Sequence, residues 1–366
     1  MLLDASIISL LPKHLNPPPP GPATPAFIIA DAGSKGAGLF ALRDIPAGAL
    51  ILVDQPILVV PAIAPTGAYD VLLPRLPKTS RDALFALTNA KSASECGIFE
   101  GVVWTNASQI DLPASTGDSN VSEYGAVFPV LSRANHSCSL STTLKWDPGS
   151  FSAALYAQRT LRAGEEIHHP YIDVLAPRAV RRVQLADRYN FHCACPHCDV
   201  PDATAAASDA ARAELHTWLS RPSFQLPCYW SHWDLRRADD ADAANLRALA
   251  LAGQEGLDAL RVMLTEEIAL GCALLGDEAR FCVWAAQVAE LCEGYDPVRA
   301  TEFRAWEASP QTTFRLWGWR AKQRLRRFRV EAYGPWAKRA SYYFTHFATK
   351  CSVRLSARSV DSVFTS

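Results

Sequence analysis

The sequence predicts an α+β protein, with a β-rich N-terminal half followed by an all-helical C-terminal region. Three observations carry that prediction. Short apolar runs punctuated by Gly and Pro fill the first part of the chain. Apolar residues at three- and four-residue spacing fill the stretch from Asp240 to Leu291. Cys193, Cys195 and Cys198 crowd the junction between the two.

In chain order, consecutive prolines from Pro17 to Pro20, then Pro22 and Pro25, cannot enter helix or sheet interiors and predict a disordered leader over 1–25. Phe27 to Ala30, Gly38 to Leu42 and Ala49 to Val53 read as short strands joined by tight turns at Gly33, Gly36, Pro46 and Gly48. Leu72, Leu73, Leu76, Leu84, Phe85 and Leu87 then follow helical spacing, with Ser80 as an N-cap, so a helical insert is expected over about 62–120. Strands resume around Val127 to Leu131, Thr143 to Trp146, Ser152 to Gln158 and Glu166 to His168. Residues 202–215, rich in Ala and Asp, read as a linker or a capped helix start. Leu246, Leu249, Leu257, Leu260, Leu264, Ile268 and Leu274 predict helical hairpins within a helical region over 201–330, and 331–366 reads as a poorly ordered tail.

The chain has 366 residues, 49% of them hydrophobic, with a formal net charge of −1. That balance fits a soluble globular protein long enough for two cores and argues against a whole-chain nucleic-acid binder. Ten cysteines in this length are too sparse for a secreted disulfide scaffold, and their clustering points to metal and a reducing compartment. Asp4 with no basic segment before it argues against a signal peptide, and no apolar run reaches the length of a membrane span. An intracellular protein of the nucleus or cytoplasm, not secreted, is expected.

Cys193-x-Cys195-x-x-Cys198 supplies three soft thiolates in one loop, and tetrahedral zinc needs a fourth ligand. Cys138 is the candidate, with His192 and His197 as alternatives. A closed four-ligand site is structural rather than catalytic. Upstream stand Asn135 and His136, residue types that bond amino-acid and adenine groups, and Tyr171, whose hydroxyl can steer an amine. Gly36-Ala37-Gly38 is a turn in which backbone amides can approach a ligand, although a simple β-turn reads the same way. Glu165 and Glu166 are adjacent, so on a strand they face opposite sides and make a poor acid/base dyad. His168 and His169 could serve as a base, but packed or solvated strand residues are the simpler reading.

Asn135-His136-Ser137-Cys138, then Gly164-Glu165-Glu166-Ile167-His168-His169-Pro170-Tyr171, then Phe191 to Cys198, in that order, resemble the signature of SET-domain protein lysine methyltransferases. Lys35-Gly36-Ala37-Gly38-Leu39-Phe40-Ala41 and Arg43 to Gly48 look like the start of such a domain, and Trp104-Thr105-Asn106-Ala107 is similar to fungal proteins related to the SET-and-MYND group. The resemblance covers about residues 26–200. It implies a SET-type β-clip of short strands with a pseudoknot, a zinc-bound post-SET segment at 189–200, and a helical C-terminal region closing one side of the substrate cleft. A MYND zinc module is not expected, because Cys96 is the sole cysteine before Cys138.

The implied activity is methyl transfer from S-adenosylmethionine to a lysine of a histone or another protein. The resemblance assigns cofactor binding to Lys35, Gly36, Gly38, Asn135, His136 and Tyr171, the catalytic role to Tyr171, and structural zinc to Cys138, Cys193, Cys195 and Cys198. The chain departs from the pattern at Ser139-Leu140-Ser141 and at His168-His169-Pro170. The alternative is therefore a catalytically inactive SET scaffold acting as a protein-interaction module. Between Arg315 and Arg339 nine basic residues face Glu331 alone, with Trp317, Trp319, Phe328 and Trp336 interleaved. That stretch could contact an acidic protein or nucleic acid, or be a solvated helix face with its tryptophans packed inward. No membrane partner is expected, and monomer is the default.

Overall fold

The computed structural model describes residues 2–3, 14–61, 68–112, 124–220, 238–319 and 321–322. The tail at 331–366, most of the basic stretch at 315–339, and parts of the expected leader and insert lie outside the described residues. The chain divides into two compact units, Met1–Ala210 with Gln254–Leu260 and Leu291–Pro297, and Ala211–Gly253 with Arg261–Glu290 and Val298–Ser366.

The first unit contains the short strands expected of a SET-type β-clip, arranged in three small sheets. In one, β2 (Phe27–Asp31) turns through a 3-10 segment at Gly33–Lys35 into β3 (Ala37–Ala41), and β10 (Glu166–Ile167) pairs antiparallel on the far side of β3, with Glu166 opposite Phe40. In a second, β9 (Ser152–Ala157) lies between β4 (Leu50–Asp54) and β8 (Thr142–Asp147), antiparallel to both. The third orders β1 (Leu2–Leu3), β5 (Leu58–Pro61), β7 (Tyr124–Val127) and β6 (Ala107–Ile110).

One core gathers Leu39, Ile51, Val59, Ala126, Phe128, Leu155 and Ile167 from all three sheets. Leu58, Val60 and Val127, pointing the other way from β5 and β7, meet Tyr69, Leu84, Phe99, Val102 and Val103 of the insert. Burial on both faces explains the unbroken apolar run Ile57-Leu58-Val59-Val60, where a half-exposed strand would alternate.

The insert is helical at α1 (Ala68–Leu72), α2 (Lys78–Phe85) and α3 (Ile98–Asn106), but it ends in strand β6. Helix α2 begins two residues before the expected cap at Ser80. Pro77 is its N-cap, since a fixed φ near −53° suits a helix entrance and Pro74 and Pro77 block any earlier start. The strand expected over Val127 to Leu131 ends at Val127, and Leu131–Arg133 coil into a 3-10 turn. Asp54 explains the change. Its Oδ2 accepts hydrogen bonds from the backbone N–H groups of both Val130 and Leu131 at 2.8 Å, bending the chain out of the sheet.

After α4 (Arg178–Tyr189), helices fill the remainder as α5 (Asp202–Leu219), α6 (Ala238–Gln254), α7 (Ala259–Leu275), α8 (Glu278–Cys292), α9 (Pro297–Ala308) and the short α10 (Pro310–Thr313). Within the helical pattern read from Asp240 to Leu291, the turns between helices fall at Gly256 and Gly276, both at positive φ. Within the second unit Trp218 Nε1 donates to Asn245 Oδ1 at 2.9 Å, and Arg247 forks onto Glu214 at 2.5 and 2.8 Å. Cys272 and Cys292 are buried on these helices, and Cys282 is half-exposed. No helix among the described residues is long and apolar enough to cross a membrane.

Candidate active site

The turn anchored by Asp54 delivers Asn135 beside strands β3 and β10. Asn135 Nδ2 donates to Glu166 Oε1 at 2.9 Å and to the Ala37 carbonyl at 3.3 Å. With both amide hydrogens engaged, the side-chain orientation is fixed and Oδ1 is left as the acceptor. Gly38 makes this approach feasible. A Cβ there would stand 3.0 Å from Asn135 Nδ2 and 2.9 Å from Glu166 Oε1. Gly36, at φ 75°, closes the preceding turn in a conformation open to glycine.

Glu166, which the sequence marks as structural rather than as half of an acid/base dyad, is the organiser. Besides Asn135 it pairs with Lys35 Nζ, and its Oε2 lies 3.2 Å from His168 Nε2. Burial alone would raise its pKa, but the hydrogen bonds from Lys35 and Asn135 bring the carboxyl below its ordinary value. Neighbouring Glu165 reaches Arg159 and the Arg162 N–H instead, as opposite-facing strand positions require.

The segment after β10 is tied to the Asn135 loop at alternate residues. His169 N–H donates to the Asn135 carbonyl at 3.0 Å, and Tyr171 N–H donates to His136 Nδ1 at 3.1 Å. Pro170, which has no N–H to offer, falls between them, so both ties form around it. The Tyr171 hydroxyl donates to the Ala134 carbonyl at 2.9 Å, and its ring lies 4.9 Å from that of Tyr189. Burial, reinforced by Tyr189 and Glu166, holds this phenol well above the usual tyrosine pKa.

His136 is buried, which pushes its pKa down to about 4. Since Nδ1 accepts from Tyr171, the ring proton sits on Nε2, which faces Cys138 Sγ at 3.3 Å. The imidazole thus links the tyrosine backbone to the cysteine cluster.

The ligand atoms of Cys138, Cys193, Cys195 and Cys198 all lie within 4.8 Å of one another. Cys138 Sγ is 3.5 Å from Cys198 Sγ and 4.0 Å from Cys193 Sγ, bracketing the roughly 3.8 Å that a tetrahedron with zinc–sulfur bonds of about 2.3 Å requires. All four cysteines are free of disulfides. His192 and His197, the alternative fourth ligands, are not in the cluster; His197 turns its Nδ1 toward Glu255 at 3.9 Å.

Arg181 provides a second sign of a metal. It is fully buried, donates to the Ala176 carbonyl at 2.5 Å, and sets Nη2 3.9 Å from Cys198 Sγ. Four thiolates on one zinc ion leave roughly two net negative charges, which a buried guanidinium offsets; with four neutral thiols its compensation would fall to Asp209, whose Oδ1 lies 3.8 Å from Nη1. The residues therefore fit a structural zinc.

These pieces line one cavity of about 710 Å³, whose wall includes Lys35, Asn135, His136, Tyr171, Cys193 and Cys195. Gly36 and Gly38 shape its edge without lining it. Tyr189, Asn190 and Phe191 also line it, as do Asn89, Thr105 and Asn106. The sequence reading named Thr105, Asn106 and Phe191 within the resemblance but gave none of these residues a part in the site, although 189–191 directly precede the cysteine cluster and Asn190 has the left-handed conformation that ends α4. Asn106 is buried and staples the insert by donating to the Thr88 and Val102 carbonyls at 2.7 Å each.

Residues 36–172 match the SET domain family. The chain is 28% identical over 193 residues to Histone-lysine N-methyltransferase set5 of Schizosaccharomyces pombe, covering 52% of this chain and 56% of that protein. It is 34% identical over 106 residues to N-lysine methyltransferase SMYD2 of Homo sapiens, covering 29% of this chain and 23% of that one. The match thus spans about half the length of the first relative and about a quarter of the second. A solved SET domain of LSMT bound to lysine and AdoHcy aligns over 83% of this chain and 88% of that one, at 13% identity and a TM-score of 0.28.

Proposed function

We propose, from the premise that residues 36–172 of this chain form a SET domain, that the protein transfers a methyl group from S-adenosylmethionine to a lysine side chain of a protein. The observation that carries the proposal is the meeting of Asn135, His136 and Tyr171 on the wall of one cavity, with Cys193 and Cys195 of the cysteine cluster lining the same wall. The names of the relatives, a histone-lysine N-methyltransferase and an N-lysine methyltransferase, support the same reading. The cavity volume is of the size that holds a nucleoside-sized ligand, within the usual range of roughly 300–1,000 Å³.

S-adenosylmethionine supplies an electrophilic methyl group when bound. Asn135 Oδ1 offers an acceptor for the ammonium of its amino-acid end. Tyr189 and Phe191 present aromatic surface that excludes water. The Tyr171 hydroxyl, its proton directed to Ala134, turns its free lone pairs toward an incoming amine and holds it in line. A lysine must arrive uncharged to attack. No carboxylate lines the cavity among the described residues, whereas Lys35 and Arg133 do, so the surroundings disfavour the ammonium form. Zinc held by the four cysteines would fix the Phe191–Cys198 wall. Such a protein works where thiols stay reduced, in the nucleus or cytoplasm.

The test is calorimetric titration of the zinc-loaded chain with S-adenosylmethionine, followed by methyl transfer from labelled cofactor to cell proteins. Saturable binding that Asn135→Ala abolishes, and transfer that Tyr171→Phe reduces at least 100-fold without loss of fold, are the expected results. A folded, zinc-loaded protein that binds no cofactor would instead be an inactive scaffold.

A further inference from the structure

Helices α6 and α7 are joined by a short turn over Glu255 to Asp258, and this turn belongs with the strands of the first unit rather than with most of the two helices it joins. It takes up both backbone groups of Leu140. The Leu140 N–H donates to the Gly256 carbonyl at 2.8 Å, and the Ala259 N–H donates to the Leu140 carbonyl at 3.0 Å. Leu140 is the middle residue of Ser139-Leu140-Ser141, where the chain departs from the family pattern, and it closely follows Cys138.

The same turn reaches the second cysteine loop through His197, the residue before Cys198. Gly256, at φ 62°, is where the two loops meet it: a Cβ there would stand 2.9 Å from His197 Nε2 and 3.3 Å from Ser139 Cβ. Nδ1 of the same ring lies 3.9 Å from Oε2 of Glu255, which is buried and accepts the Ser208 hydroxyl of α5 at 2.5 Å. This turn therefore touches both loops that carry the thiols.

The cluster draws Cys138 from one stretch of chain and Cys193, Cys195 and Cys198 from another. Metal–sulfur bonds of fixed length tolerate little change in the separation of those stretches, and residues that orient ligands are typically worth about 10- to 100-fold in metal affinity. We propose that the α6–α7 turn is a positioning clamp, in which Gly256, fitting between Ser139 and His197 without a side chain, sets that separation. Zinc affinity then depends on the clamp directly. Resting on the cofactor reading above, cofactor affinity depends on it through His136, which faces Cys138 and accepts the Tyr171 N–H. The coupling is reciprocal, so zinc at the cysteines steadies the turn.

Gly256→Ala tests the clamp against Gly276→Ala, which adds a Cβ at a comparable positive φ in the turn between α7 and α8. Zinc affinity is measured by competition with a chelator, S-adenosylhomocysteine affinity by calorimetry and stability by urea. Gly256→Ala should weaken zinc at least 10-fold and S-adenosylhomocysteine with it, whereas Gly276→Ala should lose stability with both affinities intact. Equal zinc loss in the two variants means general destabilisation and overturns the proposal, as does unchanged zinc affinity in a folded Gly256→Ala protein. If Gly256→Ala does not fold, the wild type decides: adding zinc to the metal-free chain should slow hydrogen exchange over residues 254–260 at least 10-fold, and slowing confined to 193–198 overturns the clamp. A wild type that shows the zinc effects but binds no S-adenosylhomocysteine supports the clamp and removes the cofactor reading alone.

Discussion

Buried apolar residues drawn from three sheets and the turns between them hold the β core together, whereas the lobe that closes the site around residues 171–198 buries Val174, Arg181 and Leu185 beside Cys193, Cys198 and the Cys138 thiol. Tyr171, Ile172, Tyr189 and Phe191 pack against that lobe only in part. The core can stand on hydrophobic burial at roughly 1.5–3 kcal/mol for each large side chain removed from water. The lobe cannot, because Val174 and Leu185 are its buried apolar side chains and the rest of what it buries is thiols and the Arg181 guanidinium. The difference teaches that one compact unit holds two stabilities. One depends on apolar contact and the other on a metal, and the cavity lies where they meet.

Removing the metal is the harshest way to separate the two. Structural zinc is worth on the order of 10 kcal/mol in small sites, more than a lobe of this size can replace. Chelation, or Cys195→Ser, should therefore abolish hydrogen-exchange protection across residues 171–198 and eliminate cofactor binding, while protection in β4, β8 and β9 persists. Loss of protection in both regions at once would mean that they form a single cooperative block.

The reverse experiment strikes the core. Leu155 is fully buried on β9 between β4 and β8, and Leu155→Ala should cost about 2–5 kcal/mol by urea denaturation. Zinc content per folded molecule should be unchanged. A variant that sheds zinc as readily as it loses stability would erase the distinction.

A smaller effect with opposite signs in the two metal states belongs to Arg181. With zinc bound, Arg181→Met leaves the charge of the four-thiolate cluster uncompensated and should weaken zinc about 10- to 100-fold, measured by competition with a chelator. Without zinc, the same variant removes a buried cation facing neutral thiols and should be as stable as the wild type or more so. Equal destabilisation in both states would reduce Arg181 to a packing residue.

What the sequence disclosed follows the same division. Cys193, Cys195 and Cys198 announced a metal because thiolate spacing within a loop is local information. Asn135, His136 and Tyr171 were legible through their order along the chain, and the helices between Asp240 and Leu291 through their periodicity. Glu166 was not, because its role rests on β10 pairing with β3, some 130 residues earlier, and adjacent carboxylates look alike until that register is set. Ser80 looked like a helix cap because it is a capping residue type, yet Pro77 had already started the helix. Strand β6 was hidden by its shortness and its place after α3.

The seam between core and lobe has its own pH signature. His169 hydrogen-bonds Asn135 through its backbone, but its Nδ1 is buried without a hydrogen-bond partner among the described residues, and burial pushes its pKa down to about 4. In the unfolded chain the ring takes up its proton near pH 6.5; in the folded chain it resists until about pH 4. The folded state binds fewer protons in that window, so its stability is complete above pH 6.5 and falls as pH drops toward 4. For one group the slope reaches about 1.4 kcal/mol per pH unit. His136, depressed by burial to a similar value, adds to the total slope but not to the difference between wild type and a His169 variant. His169→Gln keeps a polar side chain and removes the titration. Urea melts between pH 7 and pH 4.5 should therefore be flatter for the variant by up to one proton's worth of slope. Parallel curves would mean that the seam opens enough to solvate His169 at no cost, and that the lobe is looser at its hinge than its metal site implies.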